Sequence, residues 1–277
     1  LRSKIFVSTQ LGFYYVRGET QVNPCIFMLD THSIVISNLS KHYRGTSQDA
    51  LRAINLKISS GEVFGLLGPN GAGKTTFFSI LCGLIYPSDG EVSLAGMSIA
   101  SNLKSIKQII GVVPQEIALY PTLSGEDNLL FIGRMYGLKG TKLKERVQSC
   151  LDDFGFDQNR RQAVKNYSGG MKRKINLIAG ILHQPKVLLL DEPTVGIDVH
   201  ARKEILAQLR QLNQQEGTTI IYTSHHMEEA EQFCDRVAII DEGQLITTGV
   251  PETMVSVANC RSLEELFLQH TGKKIRD

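Results

Sequence analysis

Long apolar runs are missing from this 277-residue chain, and none approaches the roughly 18 to 20 residues that a membrane-crossing helix needs. If the protein works at a membrane, another chain is expected to cross it. Paired cysteines are missing as well. The five present (Cys25, Cys82, Cys150, Cys234 and Cys260) are scattered, odd in number and without a C-x-x-C pair. That argues against a disulfide frame and against a zinc site, and fits cytosolic thiols. Nor is there an excess of one charge. With 30 basic against 28 acidic side chains, the balance offers no argument for a nucleic-acid partner, and none is expected. The length holds one large α/β domain, or one domain with a smaller lobe, and either buries an ample core.

What is present is a loop suited to phosphate. Gly68-Pro-Asn-Gly-Ala-Gly-Lys-Thr-Thr76 fits G-x-x-x-x-G-K-T; the apolar Val63-Phe-Gly-Leu-Leu67 before it reads as a buried strand, and a helix opens near Lys74. A polyphosphate needs many donors at short range and no side chains in the way. Gly68, Gly71 and Gly73 let the backbone wrap it, and the helix start adds the positive end of its dipole. Lys74 would reach the terminal phosphates and the Thr75 hydroxyl would ligate a magnesium ion, with Asn70 and Thr76 close enough to help. With glycine at about 7% of residues, such a match arises by accident at roughly a few in 100,000 positions. A nucleoside triphosphate is therefore the expected ligand.

Residues 1 to 30 show neither the order of a signal peptide nor a clear period; a poorly ordered extension or a non-native start is expected there, with Met28 a plausible native one. From 31 to about 250 strands and helices alternate, including strands at Ile34-Val-Ile36, Leu56-Lys-Ile58, Thr219–Thr223 and Val237–Ile240. The segment from about 116 to 183 shows no convincing strand and reads as an inserted helical lobe. Ser124-Gly-Glu-Asp127 is a capping box there, and Leu143, Val147, Cys150, Leu151 and Phe154 form a helical stripe. The lobe ends in Tyr167-Ser-Gly-Gly170, where Ser168 suits an N-cap and Gly169 and Gly170 leave the first N–H groups free for an anion. Basic residues 172 to 174 follow at a helix start, where the dipole disfavours cations, and a phosphate partner would explain them. Residues 251 to 277 read as a helical tail capped at Ser262-Leu-Glu-Glu265.

Val187-Leu-Leu-Leu-Asp-Glu-Pro193 delivers two carboxylates at the end of an apolar run. Ligands of an open parallel sheet bind beyond the carboxyl ends of its strands, which places Asp191 to hold a magnesium shell and Glu192 to polarise an attacking water. His225, after another strand, is a candidate sensor of the terminal phosphate. Tyr43 is either a half-buried strand tyrosine or a platform for a purine ring. Gln115, taken alone, reads as a solvated loop residue.

The ordered set Tyr43, GPNGAGKTT, Gln115, YSGG, LLLDEP, Gly196-Ile-Asp198 and His225 resembles the ATP-binding subunits of ABC transporters, over about 34 to 272. The resemblance implies an α/β P-loop NTPase with a RecA-like core of mainly parallel sheet, a small antiparallel lobe near 34 to 65, and the helical insertion. It implies ATP and Mg2+ as cofactors, Tyr43 stacking on adenine, Gln115 serving magnesium and coupling, Asp198 in a cross-dimer loop, and His225 at the γ-phosphate. The sequence Met171-Lys-Arg-Lys174 and the tail look like the exporting branch, which handles drugs or polysaccharides through a separate permease. Met171 stands where the commonest family pattern has Gln, and Val195 where Ser is frequent.

One chain carries one phosphate loop and one Ser-Gly-Gly helix start, separated by the helical lobe. The expectation is therefore a head-to-tail dimer of ATP-binding subunits, the phosphate loop of one facing Ser168 of the other. It would sit peripherally at the cytoplasmic face of the membrane, its integral membrane permease docked near Gln115 to Asn128. The rival reading is a soluble ATPase of the same family acting on nucleic acid or ribosomes. It lacks support because the chain has no long heptad insertion, no second ATPase copy and no basic arm. No N-K-x-D sequence speaks for guanine.

Overall fold

The chain opens with two strands, β1 (His32–Lys41) and β2 (Leu51–Ser59), passes through β3 (Val63–Leu67) and helix α1 (Lys74–Leu81), and returns as β4 (Asp89–Leu94) and β5 (Met97–Ser98). This computed structural model describes residues 32–156 and 159–272, so the expectation for residues 1 to 30 lies outside them. β1, β2, β4 and β5 make an antiparallel sheet in the order β2-β1-β4-β5. It extends to residue 98, beyond the expected 34 to 65. The reason is the turn at Pro87 to Gly90, which folds β4 back along β1 so that Ile36 faces Val92. β3 leaves this sheet because all five of its residues are buried and it needs a layer on each face.

The rest follows the expected rhythm. α2 (Ile99–Ile109) leads into β6 (Ile110–Val113); the helical lobe holds α3 (Gly125–Met135), α4 (Gly140–Asp153) and a single 3-10 turn at 164–166; and α5 (Gly169–Ile181) returns to β7 (Val187–Asp191). α6 (Val199–Glu216), β8 (Thr219–Ser224), α7 (Met227–Phe233), β9 (Arg236–Asp241), β10 (Gln244–Gly249), α8 (Pro251–Val257) and α9 (Leu263–Thr271) complete the described residues. The second sheet has the order β10-β9-β3-β8-β7-β6, parallel except for β10, which pairs antiparallel with β9.

Alternation along these strands builds two cores, one on each face. Val63, Leu67, Leu188, Leu190 and Tyr222 join the helical lobe and the C-terminal helices; Phe64, Leu66, Val187, Leu189 and Ile221 join α1 and the antiparallel sheet. Each buried aliphatic of this kind contributes about 1.5–3 kcal/mol. The helical stripe from Leu143 to Phe154 is buried as its spacing predicts. Ser124, Ser168, Asp198 and Ser262 each cap a helix with a side-chain oxygen. Because β3 lies between β8 and β9, and β7 beside β8, the segments after β3, β7 and β8 leave one edge of the sheet together.

Candidate nucleotide site

The phosphate loop follows β3, and two of its glycines answer to the protein before any ligand. A Cβ on Gly68 would stand 2.2 Å from the Ile240 carbonyl oxygen of β9, and one on Gly73 would stand 2.6 Å from that of Ala50. Gly71 differs: it has φ +83° and nothing within 4 Å of a Cβ, so only its backbone conformation requires glycine. The loop is fastened from outside as well, since Gly243 N–H donates to Ala72 O at 3.0 Å and Arg52 N–H donates to Gly243 O at 2.8 Å. α1 starts at Gly73 with φ +109°, no side-chain cap and no acidic residue in its first turn. Its first N–H groups thus have no side-chain acceptor from the cap, as an anion site requires. Asn70, Gly71 and Thr75 are exposed on the loop.

Lys74 is buried, and its Nζ donates to Gly68 O at 2.7 Å and Pro69 O at 3.1 Å, with Glu192 Oε1 at 3.5 Å. Burial lowers its ammonium from the ordinary value, and the Glu192 and Asp191 carboxylates oppose that fall. At the end of β7, Asp191 accepts from Thr223 Oγ1 at 2.7 Å. Burial pushes its carboxyl up, against the Thr223 hydrogen bond. Glu192 has φ +45°, a conformation that a residue with a side chain adopts only under constraint. The constraint comes from β8, where Thr223 Oγ1 and Thr223 O both accept from Glu192 N–H, at 3.1 and 3.2 Å. Its carboxylate is then a hub. Gln115 Nε2 donates to Oε2 at 3.0 Å, and His225 Nδ1 lies 3.2 Å from Oε1.

Tyr43 lies beyond the end of β1, exposed, with its hydroxyl 3.4 Å from Thr76 Oγ1 and the Lys41 ammonium 5.3 Å from its ring centre. Of the two expectations for it, the half-buried strand residue is wrong; it stands at the loop's rim. Tyr43, the loop from Gly68 to Thr76, Gln115, Asp191, Glu192 and His225 therefore form one group. Ser168, Gly169, Gly170 and Asp198 form another. A Cβ on Gly169 would lie 3.7 Å from Gly196 O and one on Gly170 3.3 Å from Ala201 Cβ, so this helix start adjoins the segment of Asp198. Ser168 Oγ accepts from Met171 N–H at 3.2 Å. The Asp198 carboxylate accepts from Ala201 and His200 N–H groups at 3.0 Å, which hold it below the usual carboxylate range.

The basic turn after Ser168 has a different cause from the one expected. Lys174 pairs with Glu204 at 2.7 Å, and the buried Arg173 donates to Pro114 O at 3.0 Å and Gln115 O at 2.8 Å. Two of the three cations are therefore committed inside the protein and do not call for a phosphate. Sequence reasoning passed over Asn176, Asn128 and Thr223, and gave Arg173 a different role. Asn176 holds Ala118 N–H and Pro114 O, and Asn128 holds Tyr120 and Ser124 O, so three side chains stitch the segment after Gln115 to the helical lobe. The available signal was an amide side chain within an apolar helix, where it is poorly placed unless it bonds backbone elsewhere.

These residues fit a nucleoside triphosphate. The donor-rich, partly exposed loop would hold the phosphates, and the buried Asp191 carboxylate, bonded to Thr223 and near Lys74 and Glu192, suits a cation. Among the described residues no cluster of three or more His, Cys, Asp and Glu gathers to hold a metal by itself. A magnesium ion would accordingly be shared with substrate phosphates. Fold and site define the class: a P-loop nucleotide-binding cassette.

Comparison with known proteins agrees. A family profile described as ABC transporter matches residues 51–195. The chain is 45% identical over 219 residues to a linearmycin resistance ATP-binding protein of Bacillus subtilis, covering 79% of this chain and 70% of that one. It is 39% identical over 215 residues to a Nod factor export ATP-binding protein of Burkholderia lata, covering 77% and 70%. ABC transporter A family member 12 of Arabidopsis thaliana is 40% identical over 224 residues, 79% of this chain, which spans only 24% of that longer protein. Among solved structures, an ATP-binding subunit of an ABC transporter superposes with TM-score 0.77 at 26% identity, covering 86% of this chain and 99% of its own. A dimeric ATP-binding cassette captured after hydrolysis with ADP and Pi gives 0.72 at 25%, covering 78% and 97%. The chain belongs to the ABC transporter family, as an ATP-binding and ATP-hydrolysing cassette.

Proposed function

We propose that two copies of this chain close head to tail around MgATP and drive export through a separate membrane permease. The carrying observation is the division of contacts: Lys74 and His225 both meet Glu192, next to Asp191, whereas Gly169 and Gly170 adjoin Gly196 and Ala201. Neither half surrounds a triphosphate alone. A second copy turned end for end would bring Ser168, Gly169 and Gly170 of one chain to the loop of the other, with Asp198 at the seam. The solved dimeric cassette supports this reading, as do the relatives named for export and for linearmycin resistance.

In this arrangement Tyr43 stacks on the base, and the N–H groups of Gly68 to Gly73 and the Lys74 ammonium bind the β- and γ-phosphates. Asn70 and Thr76 line the rim. Glu192 accepts the proton of the attacking water, and His225 donates to the γ-phosphate. Thr75, Gln115 and Asp191 would hold the magnesium ion, which supplies charge neutralisation at the phosphates. Once the phosphoryl group has left, like charges on ADP and phosphate favour reopening, which makes a two-state clamp able to move a membrane partner. No helix among the described residues is long and apolar enough to cross a membrane. On this reading the permease is a separate chain, and the subunit works at the cytoplasmic face of the membrane.

Size-exclusion chromatography of Glu192→Gln with MgATP tests the clamp: a dimer is expected, and a monomer that demonstrably carries ATP overturns it. Lys74→Ala should weaken ATP binding by at least about tenfold. Glu192→Gln should keep binding and lose about 100-fold or more in turnover. Equal ATPase rates for Glu192→Gln and the parent would remove Glu192 as the base.

A further inference from the structure

Behind the hydrolytic residues lies a buried carboxylate with no part in the scheme above. Glu229 occupies the first turn of α7, four positions after His225, with its side chain 6% exposed. Its Oε1 accepts from Thr194 Oγ1 at 2.7 Å, and the same hydroxyl lies 3.2 Å from the fully buried Tyr222 hydroxyl on β8. Its Oε2 faces Arg202 Nε of α6 at 3.3 Å, through charge alone: neither atom has a directed hydrogen bond. Arg202 in turn sits one helical turn from Asp198, to whose carbonyl its N–H donates at 3.0 Å.

A buried carboxylate is costly, and burial pushes the Glu229 carboxyl up, opposed by the Thr194 hydrogen bond and by Arg202. A helix start alone does not account for it, since a capping acid near a first turn works equally well from the surface, as exposed Glu228 does. What distinguishes Glu229 is what it joins. Thr194 is two residues from Glu192, in a turn closed by Val195 N–H donating to Glu192 O at 3.3 Å. α7 follows directly on His225, and α6 follows on Asp198. One side chain therefore ties the three segments that present the base, the γ-phosphate histidine and the seam aspartate.

We propose that Glu229, through Thr194, is the positioning residue that holds Glu192 and His225 in register for hydrolysis, without touching nucleotide. The strained φ of Glu192 gives the brace its purpose. A left-handed glutamate relaxes unless both flanks are held; Thr223 holds the β7 side and Thr194 the other. The brace is tight on the Thr194 side and loose on the α6 side, so α6 can shift with Asp198 while Glu192 stays fixed. Misplacement of a general base by about 1 Å is enough to cost up to about 100-fold in rate.

The inference rests on the assignment of Glu192 and His225 above, and its test keeps the two separable. Glu229→Gln and Thr194→Val, with Glu229→Asp and Thr194→Ser as conservative partners, are assayed in the full chain for ATP affinity, steady-state turnover and melting temperature, beside Glu192→Gln. The expected result is a fall in turnover of at least about tenfold with ATP affinity changed less than about threefold in Glu229→Gln and Thr194→Val, and recovery of most of the rate in Thr194→Ser. Turnover within about threefold of the parent, or affinity and rate falling together in step with melting temperature, overturns the proposal. If Glu229→Gln is unaffected while Glu192→Gln is inactive, the brace alone fails. If Glu192→Gln is itself active, the underlying assignment fails.

Discussion

Replacing Glu192 by glutamine should weaken the nucleotide-free protein through one particular contact. Glu192 is the nearest counter-ion of Lys74, whose ammonium is nearly enclosed, with both side chains under 10% exposed and 3.5 Å between Nζ and Oε1. Removing one partner of a buried pair costs about 3–5 kcal/mol when nothing else compensates. Here two carbonyls, Gly68 O and Pro69 O, still receive the ammonium, and the repulsion between Asp191 and Glu192 is relieved. A net loss of about 2 kcal/mol remains, or about 4 to 8 °C in melting temperature for a domain of this size. The measurement is thermal or urea unfolding without nucleotide, run as a double-mutant cycle with Lys74→Ala. On the Lys74→Ala background the same Glu192→Gln change should cost nothing or even stabilise, because the cation is gone and only the carboxylate repulsion is removed. Equal destabilisation on both backgrounds would refute the reasoning, since the loss would then belong to Gln115 and His225 instead. A further consequence concerns binding. In the parent protein ATP must draw Lys74 away from Glu192, so the Glu192→Gln variant should show a larger melting-temperature rise with ATP than the parent does.

Three other outcomes follow from the geometry. Gly68→Ala places a Cβ 2.2 Å from Ile240 O, with no flexible side chain to yield; it should cost about 1–3 kcal/mol in urea unfolding and impair ATP binding. Gly71→Ala has open space at its Cβ and only its φ of +83° to strain, and should be milder in stability by the same assay. Arg173→Met leaves the carbonyls of Pro114 and Gln115 without their buried donor, and is expected to destabilise by about 2–4 kcal/mol and to lower turnover by freeing Gln115. His183 is stacked on Tyr136 at 3.7 Å with Nε2 2.9 Å from Ile110 O, and its buried Nδ1 has no partner. Burial therefore holds it below its ordinary 6.5. The unfolded chain takes up the proton first, so this site's contribution to stability is full above 6.5 and is lost as pH falls below it. His183→Gln should flatten the pH dependence of unfolding over that window.

The sequence alone determined which local chemistry was possible. A glycine loop between a buried strand and a helix, two carboxylates ending an apolar run, and serines ahead of helical stripes are short-range patterns. Their physics, backbone donors, strand burial and capping, acts within about ten residues, and the structure keeps each of them at the expected position. Gly68 was legible as glycine, but for a reason that changed: its neighbour is Ile240, 172 residues away in sequence, and no local pattern announces that approach. Tertiary structure decided everything that needed two distant segments at one point. It brought Gln115, Lys74 and His225 onto Glu192, and it turned Arg173 inward to the backbone at 114 and 115. It moved the boundary of the antiparallel sheet to residue 98, and it set Glu229 behind Thr194. A buried charge or a strained φ takes its meaning from partners far along the chain, and those partners are fixed only when strand order places β3, β7 and β8 side by side.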